Sequence, residues 1–192
     1  MRTKAIMSDS PDNRKAAPSS SERAGQADAP KGNERSHTLL ILANNEPGMV
    51  DRVVGVLRRR RAQPQTISIG QSEVANISRI TIQVSDSEVG VEQLIEQLRK
   101  IVDVRHIVNV TLEQAVAREL ALVKVSASAE TRAEIIETSH HFGAHIVDLA
   151  PETVTLEVTG SEEKIEKLVA LLQRFGVREI ARTGSVAMTR DL

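Results

Sequence analysis

Residues 38–57 read TLLILANNEPGMVDRVVGVL, and this stretch contains the change of pattern on which the fold depends. The apolar run over 38–42 predicts a short buried strand, and the Asn, Pro and Gly residues of 43–48 predict a turn. Apolar residues then recur at helical spacing, at Met49, Val50, Val53, Val54 and Leu57. The stretch therefore predicts a strand, a turn and a helix, with Pro47 in the first helical turn.

The same exchange between strand and helix periods continues along the chain. Strands are predicted around Ile67 and Ile69 and over 80–84, joined as a hairpin, and a helix over 91–101 precedes a fourth strand over 102–110. This order is βαββαβ.

The pattern then starts again after residue 117. Strands are predicted over 120–125, 146–149, 154–158 and from 177, with helices over 130–142 and 165–175. Leu94-x3-Leu98-x2-Ile101 is repeated as Leu168-x3-Leu172-x2-Phe175, an internal repeat at about 75 residues. We therefore expect an α+β protein of two tandem ferredoxin-like modules, over 37–112 and 118–190. Modules this small favour further burial against each other or a second chain.

Composition narrows the classes of partner. The formal net charge is −1, so no overall field attracts nucleic acid or an anionic membrane. There is no Cys, which favours a reducing compartment, and no apolar run approaches the roughly 20 residues that span a bilayer. We expect a cytoplasmic protein with neither nucleic acid nor membrane as partner.

Residues 1–36 differ in composition from the rest of the chain. They are rich in Ser, Ala, Pro, Gly and charge, without periodic apolar residues, which predicts a disordered tail. The scattered acidic residues disfavour a transit peptide, and the segment lacks the apolar region of a signal peptide.

The turn over 43–48 is the strongest candidate for a ligand site. A helix N-terminus offers unpaired N–H groups and the positive end of its dipole, which suits a carboxylate. Asn44 and Asn45 add amide groups, and Gly48 permits close approach. The same residues also occur in turns that bind nothing, so a plain turn with a helix cap is the alternative.

Five stretches in order resemble one family. They are LLILANNEPGMVDRV (39–53), ISRITI (77–82), LRKIVDV (98–104), RELALVKV (118–125) and ARTGSV (181–186). Together they resemble the small regulatory subunit of acetohydroxyacid (acetolactate) synthase, which belongs to the ACT domain family. The likeness covers about residues 37–190.

This resemblance implies a non-catalytic homodimer that regulates a separate catalytic large subunit in branched-chain amino-acid (valine and isoleucine) biosynthesis. An N-terminal ACT domain would bind valine at a dimer interface, giving allosteric feedback inhibition, and an ACT-like domain would follow. No cofactor would belong to this chain, since thiamine diphosphate, Mg and FAD would be held by the catalytic partner. The implied effector-binding residues are Asn44, Asn45, Gly48, Met49, Val50 and Gln63.

The sequence departs from the family after the first helix. The family has a Gly-aromatic-Asn-Ile run there, whereas this chain has Arg61-Ala62-Gln63-Pro64. Gln63 would replace an Asn that helps to hold the amino acid, and Arg61 would replace a Gly suited to the left-handed conformation at a helix end. We expect weakened valine binding.

Other chemically suggestive residues have simpler explanations. The basic run 58–61 ends a helix, where cations favour the dipole. His140, His141 and His145 have metal-like spacing, but Gly143 predicts that the helix ends between them, so we expect no metal site. No nucleophile or phosphate-binding motif is present, so we expect no catalytic residue. The alternative function is a free-standing ACT-type amino-acid sensor that regulates a different partner.

Overall fold

The structure, a computed structural model, describes residues 35–110 and 115–190. The first module consists of β1 (Arg35–Asn44), α1 (Met49–Arg59), β2 (Pro64–Gln71), β3 (Ile77–Asp86), α2 (Glu88–Leu98) and β4 (Val104–Val110). Its antiparallel sheet has the order β2-β3-β1-β4. This is the predicted βαββαβ module.

The second module repeats the arrangement and adds one strand. It consists of β5 (Ala115–Ser126), α3 (Arg132–His141), β6 (His145–Leu149), β7 (Thr153–Gly160), α4 (Glu162–Leu172), a 3-10 turn (Gln173–Phe175), β8 (Val177–Arg182) and β9 (Val186–Thr189). The sheet order β6-β7-β5-β8 is equivalent to that of the first module. The predicted tandem ferredoxin-like fold is therefore confirmed.

Each module has its own core between its helices and one face of its sheet. In module 1, the fully buried members include Leu39, Ile41, Ile80, Leu94 and Leu98. Alternation along the strands places Leu39, Ile41 and Ile80 on the helix-covered face, and Leu94 and Leu98 face them from α2. Burial of each side chain contributes about 1.5–3 kcal/mol.

The second core is built in the same way. Val123, Leu156, Ile165, Leu168 and Leu172 are almost completely inaccessible to solvent in module 2. Two cores on one repeated topology agree with the internal repeat in the sequence.

The N-terminal turn of α1 differs from the sequence prediction. The helix begins at Met49 with Gly48 as its N-cap, so Pro47 precedes the first helical turn instead of occupying it. Val50 and Val54 were assigned to the apolar stripe but are 40% and 43% exposed. The stripe that contacts the sheet is narrower, and its buried members are Met49, Val53, Val56 and Leu57.

The second module covers the outer face of the first sheet. Leu40 and Val110 from the first module pack with Ala115 and Ala187 from the ribbon of β5 and β9. The Ala187 N–H donates to Thr81 Oγ1 at 3.4 Å. The sequence did not predict β9, because its residues Val186 and Met188 are exposed and lack a one-sided apolar pattern.

The predicted module boundaries differ slightly from the observed strands. β1 begins at Arg35 and β5 at Ala115. The remainder of the predicted tail, residues 1–34, lies outside the described residues. In the parts of the chain that are described, no helix combines the length and hydropathy needed to cross a membrane.

Candidate functional site

The turn between β1 and α1 is held at both sides by backbone hydrogen bonds. The Asn44 N–H donates to the carbonyl oxygen of Asp103 at 2.8 Å, next to the start of β4. The Asn45 N–H donates to the carbonyl oxygen of Asn76, also at 2.8 Å, in the β2–β3 loop. Two neighbouring segments therefore fix the path of the turn.

Gly48 gives the helix an open N-terminus. Its φ of 78° lies in the left-handed region, and no side chain caps the helix. Among the described residues, the first-turn N–H groups of Val50 and Asp51 have no backbone or side-chain acceptor. Such N–H groups, together with the positive end of the helix dipole, favour a small anion.

Arg52 adds a fixed positive charge beside this N-terminus. Its Nε donates to Asp103 Oδ2 at 2.6 Å, and its Nη2 donates to the Pro47 carbonyl oxygen at 3.2 Å. Asp103 is buried, so the ion pair holds the half-exposed guanidinium over the turn. A Cβ at Gly48 would lie 3.1 Å from Arg52 Nη1.

Arg52 was not among the residues that the sequence assigned to the ligand site. The available signal was its spacing of four from Gly48, which puts it one helical turn along the same face. Its partner Asp103 lies 51 residues away, and nothing local to either residue indicates their pairing.

The two asparagines have different environments. Asn44 Oδ1 accepts a hydrogen bond from Arg105 Nε, so this side chain is already used in holding the turn. Asn45 is exposed. Asn45 is therefore the predicted amide that is more available to a ligand.

Met49 and Val50 lie on different faces of the helix, about 100° apart around its axis. Met49 is 1% exposed and belongs to the core, whereas Val50 is exposed. Val54 and Ile69 are also exposed apolar side chains of module 1. A ligand at the turn is therefore offered the side chain of Val50, but not that of Met49.

Gln63 lies beyond the other end of α1. The helix has 11 residues, which corresponds to about 16 Å. Gln63 is exposed, and within a single chain α1 separates it from Gly48 and Asn45.

The end of α1 keeps its standard geometry despite the missing Gly. Arg61 itself adopts the left-handed conformation, with φ of 55°. The Ala62 N–H donates to the Leu57 carbonyl oxygen at 3.0 Å, and the Arg61 N–H donates to that of Arg58 at 3.1 Å. These are the bonds of a Schellman motif.

The histidine cluster is divided as predicted. α3 ends at His141, and Gly143, with φ of 59°, turns the chain before His145. His141 Nδ1 lies 2.8 Å from the Glu137 carbonyl oxygen. Residues 35–110 and 115–190 contain no group of three His, Cys, Asp or Glu side chains arranged to hold a metal ion.

Comparison with known proteins extends what the geometry shows. Residues 39–106 match the family described as the AHAS small subunit-like ACT domain, and residues 118–191 match the small subunit of acetolactate synthase. The acetolactate synthase small subunit of Mycolicibacterium smegmatis is 41% identical over 155 residues, which cover 81% of this chain and 91% of that protein. The chain belongs to the acetolactate synthase small-subunit family.

Other members of this family are also similar over most of their length. The small subunit of Aquifex aeolicus is 37% identical over 163 residues, covering 84% of this chain and 85% of that protein. The crystal structure of the acetolactate synthase small subunit from Thermotoga maritima matches with a TM-score of 0.76 at 35% identity, covering 82% of this chain and 99% of that one. The sequence resemblance is therefore confirmed for both modules.

Proposed function

We propose that this chain is a non-catalytic regulatory subunit. It raises the activity of a separate acetolactate synthase large subunit in branched-chain amino-acid biosynthesis, and valine bound to module 1 reverses that effect. The observation that supports an amino-acid effector is the open β1–α1 turn. There, the N–H groups of Val50 and Asp51, which have no acceptor in the described part of the chain, and the guanidinium of Arg52 provide donors for one carboxylate.

A second copy of the chain supplies the rest of this effector site. Because the whole length of α1 separates Gln63 from the turn in its own chain, a Gln63 side chain contributes to the pocket only if a two-fold axis brings the partner subunit's Gln63 to the turn. Val50, Val54 and Ile69 are exposed apolar side chains of module 1, and burial of such side chains would favour a homodimer interface. In this arrangement, effector binding depends on dimer formation as well as on the turn of the single chain.

The chemistry of the holoenzyme belongs to the large subunit in this proposal. Thiamine diphosphate, Mg and FAD are held there, in the cytoplasm, and this chain acts by coupling two distinct sites.

The test is to assay a purified acetolactate synthase large subunit with increasing amounts of this chain, and then with valine at a saturating amount of chain. We expect turnover to rise to a plateau and valine to lower it. Unchanged turnover, with no complex on size-exclusion chromatography, would rule out the subunit role. Valine binding to the isolated chain in that case would favour the free-standing sensor.

A further inference from the structure

Module 1 has a cavity of about 610 Å³ at the opposite end of β1 from the turn. Its walls come from the start of β1, the first turn of α2, the end of β4 and the first residue of α4. The side chains that matter here are Arg35, His37, Glu88, Glu92, Asn109 and Glu162. His37 is seven residues before Asn44, about 23 Å along the strand, so the cavity is separate from the effector turn.

His37 contributes an unsatisfied polar atom to this cavity. The side chain is only 9% exposed, and its Nδ1 lies 3.2 Å from Asn109 Nδ2. Its Nε2 is buried and has no hydrogen-bond partner in the described part of the chain. Leaving a buried polar atom unpaired is costly, so a group that pairs with Nε2 would stabilise the site.

The equivalent position in the second module indicates which kind of group fits this cavity. Ile41 pairs with Ile107 in the first sheet, and Val123 pairs with Ile180 in the second. The same registers make His37 equivalent to Glu119, and Asn109 equivalent to Arg182.

The second helices correspond as well. Each follows a Ser N-cap whose side chain accepts a backbone N–H, Ser87 for α2 and Ser161 for α4. Each then has Glu at its first position and again one turn later, as Glu88 and Glu92 and as Glu162 and Glu166.

A cation occupies this place in module 2. Arg182 Nη1 lies 2.7 Å from Glu166 Oε1 and 3.9 Å from Glu119 Oε1. In module 1 the equivalent residue is Asn109, which is short and neutral. Within the described residues, Glu88 and Glu92 form no ion pair.

The neighbouring module adds a third carboxylate. Glu162 lines the cavity from the start of α4. Its carboxylate accepts a hydrogen bond from Gln83 Nε2 at 3.4 Å. Among the described residues, no three carboxylate or other ligating side chains lie close enough together to hold one metal ion. A larger ion with several N–H donors therefore fits these carboxylates better than a metal ion.

We infer that this cavity is a binding site for a small organic cation, a molecule with a guanidinium or primary ammonium group. The cation would lie between Glu88, Glu92 and Glu162. This position in module 1 corresponds to the position of the Arg182 guanidinium in module 2. The N–H groups of the cation donate to the three carboxylates. His37 Nδ1 accepts from Asn109 Nδ2, so the ring hydrogen is on Nε2, which can donate to a carboxylate of the bound molecule. Arg35 at the rim suits a carboxylate on the same molecule, so a basic amino acid is the best match.

Isothermal titration of the full chain with L-arginine tests this site. We expect saturable millimolar binding that an excess of L-valine does not displace. Glu88→Gln and Glu92→Gln should each weaken arginine binding about tenfold, since each removes a charge-assisted hydrogen bond. Glu137→Gln, an exposed change on α3, is the matched control and should leave the affinity unaltered.

Asn109→Arg is the more decisive variant, because it installs the arginine of module 2 in module 1. We expect it to abolish arginine binding while the melting temperature stays at or above that of the native chain. Native-like arginine affinity in Asn109→Arg, or no saturable binding to the native chain at millimolar arginine, would overturn the proposal. The two glutamate variants keep this test valid if Asn109→Arg does not fold.

Discussion

The first strand-to-helix turns of the two modules have the same frame but different chemistry. Asn44 and Ser126 are equivalent ends of β1 and β5, and each side chain accepts from an arginine of the fourth strand, Arg105 or Arg178. In module 1 the turn leads to Gly48 and an uncapped helix. The frame is therefore common to both modules, and the helix entry distinguishes them.

The turn of module 2 closes on itself. The Ser128 N–H donates to Thr131 Oγ1 at 3.0 Å, and the Thr131 N–H donates to Ser128 Oγ at 3.2 Å. Local side chains therefore hold this turn, as Ser and Thr commonly do, while α3 itself also lacks a side-chain cap. The two helix entries differ in their N-cap residue, Gly48 or Thr131, and in the Arg52 guanidinium beside the turn of module 1.

Gly48→Asp should produce the largest effect on this comparison. A side chain at φ of 78° is strained, it meets Arg52 Nη1 at 3.1 Å, and its charge repels a carboxylate. We expect valine binding to be lost in calorimetric titration, with activation of the large subunit largely retained. Valine affinity equal to that of the native chain would mean that the turn binds no effector.

Gly143→Asp is the matched control for that substitution. Gly143 also has positive φ, at 59°, but it follows α3 in module 2, where the nearest atom to a new Cβ is Lys164 Nζ at 3.9 Å. Backbone strain and added charge are similar in the two variants, so a loss of valine binding in Gly48→Asp alone locates the effector at the first turn.

Gln63→Asn tests a smaller effect at the other end of α1. One well-placed hydrogen bond contributes about 0.5–1.5 kcal/mol, so restoring the shorter amide should tighten valine binding about threefold to tenfold. Because Arg61 keeps the Schellman geometry, the backbone need not move. Titration of both proteins with valine, leucine and isoleucine measures the change. Unimproved binding would show that Gln63 replaces the family residue without penalty.

Sequence periodicity predicted most of the fold because each core is built from one-sided strands and helices. It assigned Val50 and Val54 to the core since helical spacing alone does not show how wide a face the sheet covers. β9 was missed because its inward residue Ala187 is small and its exposed neighbours are apolar. Strand edges that pack on another module do not follow a simple alternation.

The candidate site was predicted less completely than the fold. Asn45 and Gly48 belong to a local turn motif and were identified from spacing. The pairing of Arg52 with Asp103 joins distant parts of the chain, and the equivalence of His37 with Glu119 depends on strand register. These relations require the tertiary structure.

The buried carboxyl of Glu119, the counterpart of His37, leads to the prediction with the smallest expected effect. Burial is the main cause that raises the pKa of Glu119, Arg182 opposes it, and the charges of Glu162 and Glu166 raise it further. Since the folded-state pKa lies above the unfolded value, ionisation of this carboxyl lowers the free energy of unfolding as pH rises from the unfolded pKa through the folded one. At neutral pH, the charged form of Glu119 therefore lowers the free energy of unfolding, whereas the protonated form would not.

Glu119→Gln should remove that cost without changing the shape of the side chain. We expect its melting temperature to exceed that of the native chain at about pH 7 and the two values to converge as the pH falls below the unfolded-state pKa of a Glu carboxyl. Glu179→Gln is the control of opposite sign, because the hydrogen bond from Lys124 lowers the pKa of that exposed carboxyl. Its substitution should give no gain at neutral pH. If Glu119→Gln is instead less stable than the native chain at neutral pH, then Arg182 compensates the buried charge of Glu119.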